Sequence, residues 1–298
     1  MKKFLRFCVV GGDLRQIYTA NSLVDSDYVV NIFGFDEKFK SKLSDKVKFS
    51  NDLKNSIELS DVIILPLPYS SDFKLIKSSL FSEKIFVNEL MGFTRRGQFL
   101  FAGKIDEKFK KMLVNNDLNF YDYFAREEFA ILNGILAAEG ALAIAINETI
   151  HTIHESNALV LGYGRIGKIL SNRLRDFGAN VTVVARSFED LAWVSANGIK
   201  GKSFEEVFSE IGEFDIFLNT IPSKILTEKY LDKVNKDSLI IDLASKPGGV
   251  DFKYAEAIGL NVHWALSLPG KIAPKTAGKI IKDAVLNILK EESHIFYF

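Results

Sequence analysis

The sequence predicts an α/β protein with two Rossmann- or flavodoxin-like parallel-sheet domains joined by a long helix. Short apolar runs alternate with polar, helix-like stretches in both halves of the chain, a pattern typical of parallel sheets covered by helices on both faces. A long apolar stretch without proline separates the halves, as expected of a connecting helix. The length of 298 residues fits two domains of about 150 residues each.

The first half contains four predicted strands: FCVV from Phe7, VVNIF from Val29, DVIIL from Asp61 and KIFVNEL from Lys84. The segment LRQIYTANSLVD after the first strand has helix-like spacing, and the third strand stops at Pro66. We therefore assign residues 1–124 to a first, substrate-binding domain.

A single long helix is predicted from about Tyr123 to Thr149, because this segment has many strong helix formers and no proline. Residues at spacings of four and three share one face of it: Arg126, Ala130, Asn133, Ala137 and Gly140. The small residues on that face allow close packing between domains. Arg126 and Asn133 add polar groups that we expect at an interdomain cleft.

The second half repeats the alternation, with five predicted strands: ALVL from Ala158, NVTVVAR from Asn180, FDIFLN from Phe214, SLIID from Ser238 and NVHWAL from Asn261. A terminal helix is predicted from Thr276, as its N-cap, to about Glu291. We assign the connecting helix and these strands to a second domain, 125–276. Residues 277–298 are expected to pack back on the first domain.

Composition excludes several classes of function. Lys plus Arg and Asp plus Glu both number 38, so the net charge is zero and no basic stripe indicates nucleic-acid binding. The single cysteine, Cys8, excludes an intramolecular disulfide and a cysteine zinc site, and it fits a small buried apolar residue. The four histidines lack the HExxH spacing of a helical zinc site, so no metal is predicted.

The sequence predicts a cytoplasmic protein that does not enter a membrane. The basic residues at the start, 1–3, are not followed by a secretory cleavage site. The longest apolar stretch, Ile131–Ile146, is interrupted by Asn133 and Glu139 and is shorter than a bilayer requires.

The strongest motif is VLGYGRIGK, in which Gly162, Gly164 and Gly167 form G-x-G-x-x-G directly between a strand and a helix. In this context the motif predicts dinucleotide binding. The first glycine permits the tight turn, the second lets the backbone approach a pyrophosphate, and the third lets the helix pack on the strand. Arg165 and Ile166 lie at the helix N-terminus, whose N–H groups attract phosphate.

The next strand ends in Ala185, Arg186 and Ser187, where an NAD-binding domain usually carries an acidic residue for the ribose 2′-hydroxyl. Arg186 can pair with a 2′-phosphate and stack on adenine, and Ser187 can donate to the same phosphate. The sequence therefore predicts NADP(H).

Two further strand ends are expected to border the nicotinamide. One carries Thr220, Ile221 and Pro222; the other carries Asp242 and Ala244. Small side chains leave space there for the ring. Asp242 is equally consistent with a structural cap and with a catalytic carboxylate.

Three cations are candidates for binding a dicarboxylate. Arg15 follows the Gly-Gly-Asp turn of the first strand, Arg126 lies on the connecting helix, and Lys271 lies in LPGKIAPKTAG near Thr276. A flat diacid needs at least two converging cations, because one guanidinium binds only one carboxylate in bidentate fashion. Each of these residues could instead form a surface ion pair.

The chain resembles the A subunits of dipicolinate synthase, a sporulation enzyme family of endospore-forming bacteria. The resemblance rests on segments that span nearly the whole chain in order: VVGGDLRQ, AREEFAILNGILAAEGAL, VLGYGRIGK, NTIPSKILT, LIIDLASKPGGVDFKYAEAIGLNV and LPGKIAPKTAG. It implies oxidation of a dihydrodipicolinate-type ring to dipicolinate with NADP⁺, and it implies that the partner is a second, flavoprotein-like B subunit.

Three functions remain open on the sequence alone. The chain is the catalytic dehydrogenase, or a cofactor-binding subunit that organises its partner, or a dehydrogenase of alanine or hydroxy-acid type. The third function needs a general base, for which His263 is the candidate. For the first function the sequence identifies no general base, and it leaves self-association open.

Overall fold

A computed structural model of the chain describes residues 5–295. The basic start at 1–3 and the last three residues of the segment 277–298 lie outside the described residues. The chain divides into two compact units, Met1–Asn133 with Ala273–Phe298, and Gly134–Ile272. The boundary between the units thus falls inside the connecting helix, whereas the sequence-based division places that whole helix in the second domain.

The first unit contains a parallel six-stranded sheet in the order β3-β2-β1-β4-β5-β6. Its strands are β1 (Arg6–Val10), β2 (Val29–Phe33), β3 (Lys48–Ser50), β4 (Val62–Ile64), β5 (Phe99–Ala102) and β6 (Asn119–Asp122). Its helices are α1 (Leu14–Val24), α2 (Leu53–Glu58), α3 (Val87–Gly92) and α4 (Glu107–Asn115), together with short 3₁₀ turns at Glu37–Lys42 and Tyr123–Ala125.

One predicted strand is wrong: KIFVNEL forms the helix α3 at its second half, and β5 takes the place in the sheet beside β4. The buried residues Val87, Leu90 and Met91 are spaced by three and one, which suits one face of a helix better than a strand. Only an isolated bridge between Leu75 and Phe86 remains of the extended segment. The sequence analysis also missed three strands: the interior strand β5 and the short edge strands β3 and β6.

The second unit contains another parallel six-stranded sheet, in the order β12-β11-β10-β7-β8-β9. Its strands are β7 (Asn157–Leu161), β8 (Asn180–Val184), β9 (Lys200–Lys202), β10 (Ile216–Asn219), β11 (Leu239–Asp242) and β12 (Asn261–Trp264). The helices α6 to α11 are, in chain order, Arg165–Asp176, Phe188–Ala196, Phe204–Ser209, Glu228–Leu231, Phe252–Ala257 and Leu268–Ile272. All five predicted strands are present, and β9 is additional.

Both sheets have the same strand order, and in each sheet the order reverses once. The order reverses between β1 and β4 in the first unit, and between β7 and β10 in the second. Ligands of open α/β sheets bind at the carboxyl ends of the strands at such switch points. The two-domain α/β fold predicted from the sequence is therefore confirmed, and each unit offers one such position.

The connecting helix, α5, runs from Glu127 to Glu148, so Arg126 lies just before it. By length and composition it could span a bilayer, which corrects the expectation that this stretch is too short. Half of the residues in its apolar window are buried inside the protein.

The terminal helix, α12, runs from Pro274 to Ile295. Thr276 therefore lies in its first turn and is not the N-cap, because proline fits the first positions of a helix. The helix packs on α1 in the first unit, where the Thr19 hydroxyl donates to the Gly278 carbonyl at 3.1 Å.

Candidate functional site

The loop between β7 and α6 lies at the switch point of the second unit. Gly162 has a φ of +98°, which favours glycine. A Cβ there would lie 2.5 Å from the Thr220 hydroxyl oxygen and 2.9 Å from the Ile221 side chain. The Thr220 side chain in turn donates to the Leu161 carbonyl at 2.9 Å. The two loops of the switch point are thus in close contact, and only glycine fits at their junction.

The other two motif glycines have different surroundings. A Cβ on Gly167 would overlap the Gly162 carbonyl oxygen, so this glycine is needed for the helix to meet the strand. A Cβ on Gly164 would meet no protein atom within 4 Å, although Gly164 has an ordinary extended φ of −75°. Neither turn geometry nor packing within the described residues requires glycine at position 164.

The N-terminus of α6 is open to an anion. Its N-cap is Gly164, which offers no side-chain cap, and no acidic residue lies in the first turn, where Arg165 and Ile166 are found. The backbone N–H groups and the partial positive charge of the helix end attract phosphate. Together with the space in front of Gly164, these features fit a pyrophosphate.

Arg186 and Ser187 follow β8, both exposed. No hydrogen bond or ion pair of Arg186 is found within residues 5–295. Ser187 is the N-cap of α7: its hydroxyl accepts from the Asp190 N–H at 3.0 Å and donates to the Asp190 carboxylate at 2.9 Å. The arginine is thus free for a ligand, whereas Ser187 would have to release Asp190 to donate to one.

The turn after β10 is held by the buried amide of Asn219. Its nitrogen donates to the Ile221 carbonyl at 3.0 Å, and its oxygen accepts from the Ile221 N–H at 3.1 Å. Thr220 and Ile221 are half-buried, and Pro222 is exposed. This turn therefore presents a fixed surface beside the glycine loop.

Asp242, at the end of β11, is fully buried and accepts three hydrogen bonds. The donors are the Asn219 amide at 2.8 Å, the Ala244 N–H at 3.0 Å and the Gly249 N–H at 2.7 Å. A buried carboxylate needs such donors. Asp242 therefore caps and ties together the loops after β10 and β11. Ala244, which the sequence analysis places at the nicotinamide, is buried at 3% exposure.

Arg15 lies at the switch point of the first unit and is 8% exposed. Its Nε and Nη2 donate to the Asp13 carboxylate at 2.9 and 2.8 Å, and Nη2 also donates to the Leu67 carbonyl at 2.7 Å. Within the described residues Nη1 has no partner. Asp13 also caps α1, so this helix end, unlike that of α6, already carries an anion.

The other predicted substrate residues have varied surroundings. Arg126 is fully engaged: Nε donates to Glu128 at 2.8 Å, and Nη1 and Nη2 donate to Glu291 at 2.8 and 2.7 Å. A substrate carboxylate would have to displace Glu291. Asn133 is half-buried, and Lys271 and Thr276 are exposed at the end of α11 and in the first turn of α12.

The sequence analysis overlooked one residue at this end of the second unit. Lys246 lies in the loop after β11, is exposed, and has no hydrogen bond or ion pair to residues 5–295. Its position directly after a predicted strand end, in DLASKPGG, is the signal that could have identified it. Among the same residues, no group of three His, Cys, Asp or Glu side chains could hold a metal ion.

Comparisons with known proteins match each of the two parts of the chain to a domain family. Residues 6–124 match the family of the N-terminal domain of the dipicolinate synthase A subunits, and residues 139–246 match "D-isomer specific 2-hydroxyacid dehydrogenase, NAD binding domain". The second match agrees with the glycine loop and supports a nicotinamide cofactor.

Relatives match over nearly the full length. The dipicolinate synthase A subunit of Bacillus subtilis is 33% identical over 288 residues, which cover 96% of each chain. The crystal structure of the dipicolinate synthase A subunit from Bacillus halodurans has a TM-score of 0.88 at 30% identity, covering 97% of this chain and 99% of that one. A transhydrogenase structure from Sinorhizobium meliloti, at 15% identity and a TM-score of 0.71, shares the fold over 96% of this chain and 94% of its own. In sequence and in structure alike, then, this chain belongs to the family of dipicolinate synthase A subunits.

Proposed function

We propose that the chain oxidises a dihydrodipicolinate-type precursor to dipicolinate, which is pyridine-2,6-dicarboxylate, with NADP⁺ as cofactor. The observation that carries the proposal is the uncapped N-terminus of α6 behind the open space at Gly164. With its pyrophosphate at that helix end, the cofactor would supply in its nicotinamide ring the acceptor for a hydride from a ring carbon of the substrate, while a ring proton would leave to solvent and the ring would become aromatic.

NADP(H) is favoured over NAD(H) by the exposed, unpaired Arg186 at the end of β8. A guanidinium can bind a phosphate through two parallel hydrogen bonds, and no acidic residue directly follows the strand to hold a ribose 2′-hydroxyl. Asp190 comes later and is bound to Ser187. The site therefore suits a 2′-phosphate.

Arg15 is our candidate for one substrate carboxylate, through its unpaired Nη1 at the switch point of the first unit. Asp13 fixes the guanidinium plane and offsets its charge. The contribution to substrate binding is thus a directed hydrogen bond more than a net charge. Arg126, Asn133, Lys271 and Thr276 stay further candidates.

An alanine- or hydroxy-acid-type dehydrogenase is less well supported. Its base would be His263, whose Nε2 lies 3.0 Å from the Asn261 side chain and 3.6 Å from Glu148. His263 lies within β12, paired with Ile241, and not in a loop beyond the strand end. These contacts are those of a structural histidine.

The partner is proposed to be a flavoprotein-like B subunit, in the cytoplasm of a sporulating cell. The relatives are named as subunits, which supports a partner. A cofactor-binding chain that relies on this partner for part of the chemistry is the second candidate, because no general base is identified among the residues above.

The deciding experiment measures formation of NADPH and of dipicolinate by the purified chain, alone and with its partner. Hydride transfer by the chain alone identifies it as the catalytic dehydrogenase. Transfer only in the complex favours the cofactor-binding function. Reduction of neither NADP⁺ nor NAD⁺ in the complex would refute the proposal.

A further inference from the structure

Three strand ends of the second unit lie in one row. Leu161 of β7 pairs with Asn219 of β10, which pairs with Asp242 of β11. Neighbouring strands lie about 4.8 Å apart, so the loop after β11 begins about 10 Å from the glycine loop. The order along this edge is pyrophosphate loop, Asn219 turn, then the loop that carries Lys246.

The direction of a bound dinucleotide follows from the same sheet. The adenosine half belongs on the β8 side, where the ribose-binding position after the strand is Arg186. The nicotinamide half would therefore lie on the other side of the switch point, over β10 and β11. The loop after β11 would then be beside the nicotinamide ring and its substrate.

That loop is fixed on both sides. Asp242 accepts from the N–H groups of Ala244 and Gly249, the Gly248 N–H donates to the Ser245 carbonyl at 2.9 Å, and the Trp264 indole donates to the Ala244 carbonyl at 3.0 Å. Between these contacts, Ser245 and Lys246 are exposed. The backbone that carries Lys246 is therefore held in place while its side chain is free to bind a ligand.

The charge of Lys246 is not compensated within residues 5–295. The loop after β10 offers a direct contrast, because Lys224 there forms an ion pair with Asp251 at 2.9 Å. Of these two lysines, only Lys246 can offer its full charge to an incoming anion.

We propose that the Lys246 ammonium binds a carboxylate of the substrate beside the nicotinamide and so orients the ring for hydride transfer. This inference rests on the proposed function and deepens it, since it assigns one of the two carboxylates to a residue of the cofactor-binding unit. Lys246 would be a binding residue that acts through its charge, so arginine should replace it.

The test compares K246M, K246R and, as a matched control, K224M. Affinity for pyridine-2,6-dicarboxylate is measured by calorimetry at saturating NADPH, without turnover, and KM is measured alongside. K246M should weaken dicarboxylate binding by about 10- to 100-fold, the range for loss of a hydrogen bond to a charged group. K246R and K224M should stay near wild type, with NADPH affinity and melting temperature unchanged in all three.

Wild-type affinity in K246M, or an equal loss in K246R and K246M, would overturn the inference. An equal loss in K224M would also overturn it, because the effect would then be general electrostatics. Failure of the wild-type chain to bind either NADPH or the dicarboxylate would instead refute the proposed function, and this inference with it.

Discussion

Replacing Gly164 with valine is expected to abolish dinucleotide binding while leaving the second unit folded. The side chain would occupy the open space in front of α6, where a Cβ meets no protein atom within 4 Å. The backbone at Gly164 is extended, with φ −75° and ψ −166°, which valine can adopt. The structural cost is therefore limited to a poorer N-cap, about 1 kcal/mol.

The cost to binding is larger, because the pyrophosphate must approach the backbone at this point. Loss of two charge-assisted hydrogen bonds from the helix N-terminus costs about 3 to 6 kcal/mol. That corresponds to a roughly 150- to 20,000-fold weaker affinity. G164A should be affected less, because its methyl group fills less of the space.

The assay is a fluorescence titration with NADPH, with thermal unfolding measured on the same samples. G92V is the matched control, because a Cβ on Gly92 also meets no atom within 4 Å and Gly92 lies in the first unit. G167A provides the contrast: its Cβ would overlap the Gly162 carbonyl, so it should lower the melting temperature as well. A folded G164V protein with wild-type NADPH affinity would refute the assignment of this loop.

Three further outcomes are expected. R186A should weaken NADP(H) binding by about 1.5 to 3 kcal/mol and leave NAD(H) nearly unchanged; equal losses in parallel titrations would contradict a 2′-phosphate contact. R15Q should raise the KM for substrate much more than the KM for NADP⁺, because Arg15 Nη1 is the unpaired donor at its switch point; unchanged substrate kinetics would place the carboxylate elsewhere. The Arg126 guanidinium lowers the pKa of Glu291. The stabilisation from this pair is therefore present above the ordinary carboxyl pKa and lost as pH falls through the lowered value, so melting temperatures of wild type and R126Q should differ at neutral pH and converge in acid. A difference that stays constant with pH would argue against the ion pair as its source.

Prediction from sequence succeeded best where the local pattern was unambiguous. The buried strands of the second unit are continuous apolar runs, and all five predicted ones are present. The strand predicted for KIFVNEL is wrong because so short an apolar run does not by itself distinguish a strand from a helix. Packing within the first unit decided that Val87–Gly92 would be helical. The edge strands β3 and β6 were missed because partly polar residues suffice at a sheet edge.

Some features of the candidate site could likewise be predicted from the sequence, and others could not. The glycine loop could be predicted because its three glycines stand at fixed spacing directly between a strand and a helix. Two of them, Gly162 and Gly167, meet local steric demands in the structure. The ion-pair partners of charged side chains could not be predicted, because these partners are residues distant in the sequence. Arg126 is bound by Glu291, which lies 165 residues further along the chain. Lys224 forms an ion pair with Asp251, whereas Lys246, in the neighbouring loop, has no ion-pair partner within residues 5–295.

The sequence by itself determined the α/β class and the position of the glycine loop, because apolar periodicity and glycine spacing are local properties of the chain. The family was indicated by the resemblance of motif segments along the whole chain. Only the tertiary structure decided which polar groups are consumed inside the protein and which remain for a ligand. Asp242, which the sequence left undecided between a cap and a catalytic carboxylate, is fully buried and bound by three donors. Whether a charged group can act on a ligand depends on its burial and its partners, and both are fixed when distant segments pack together.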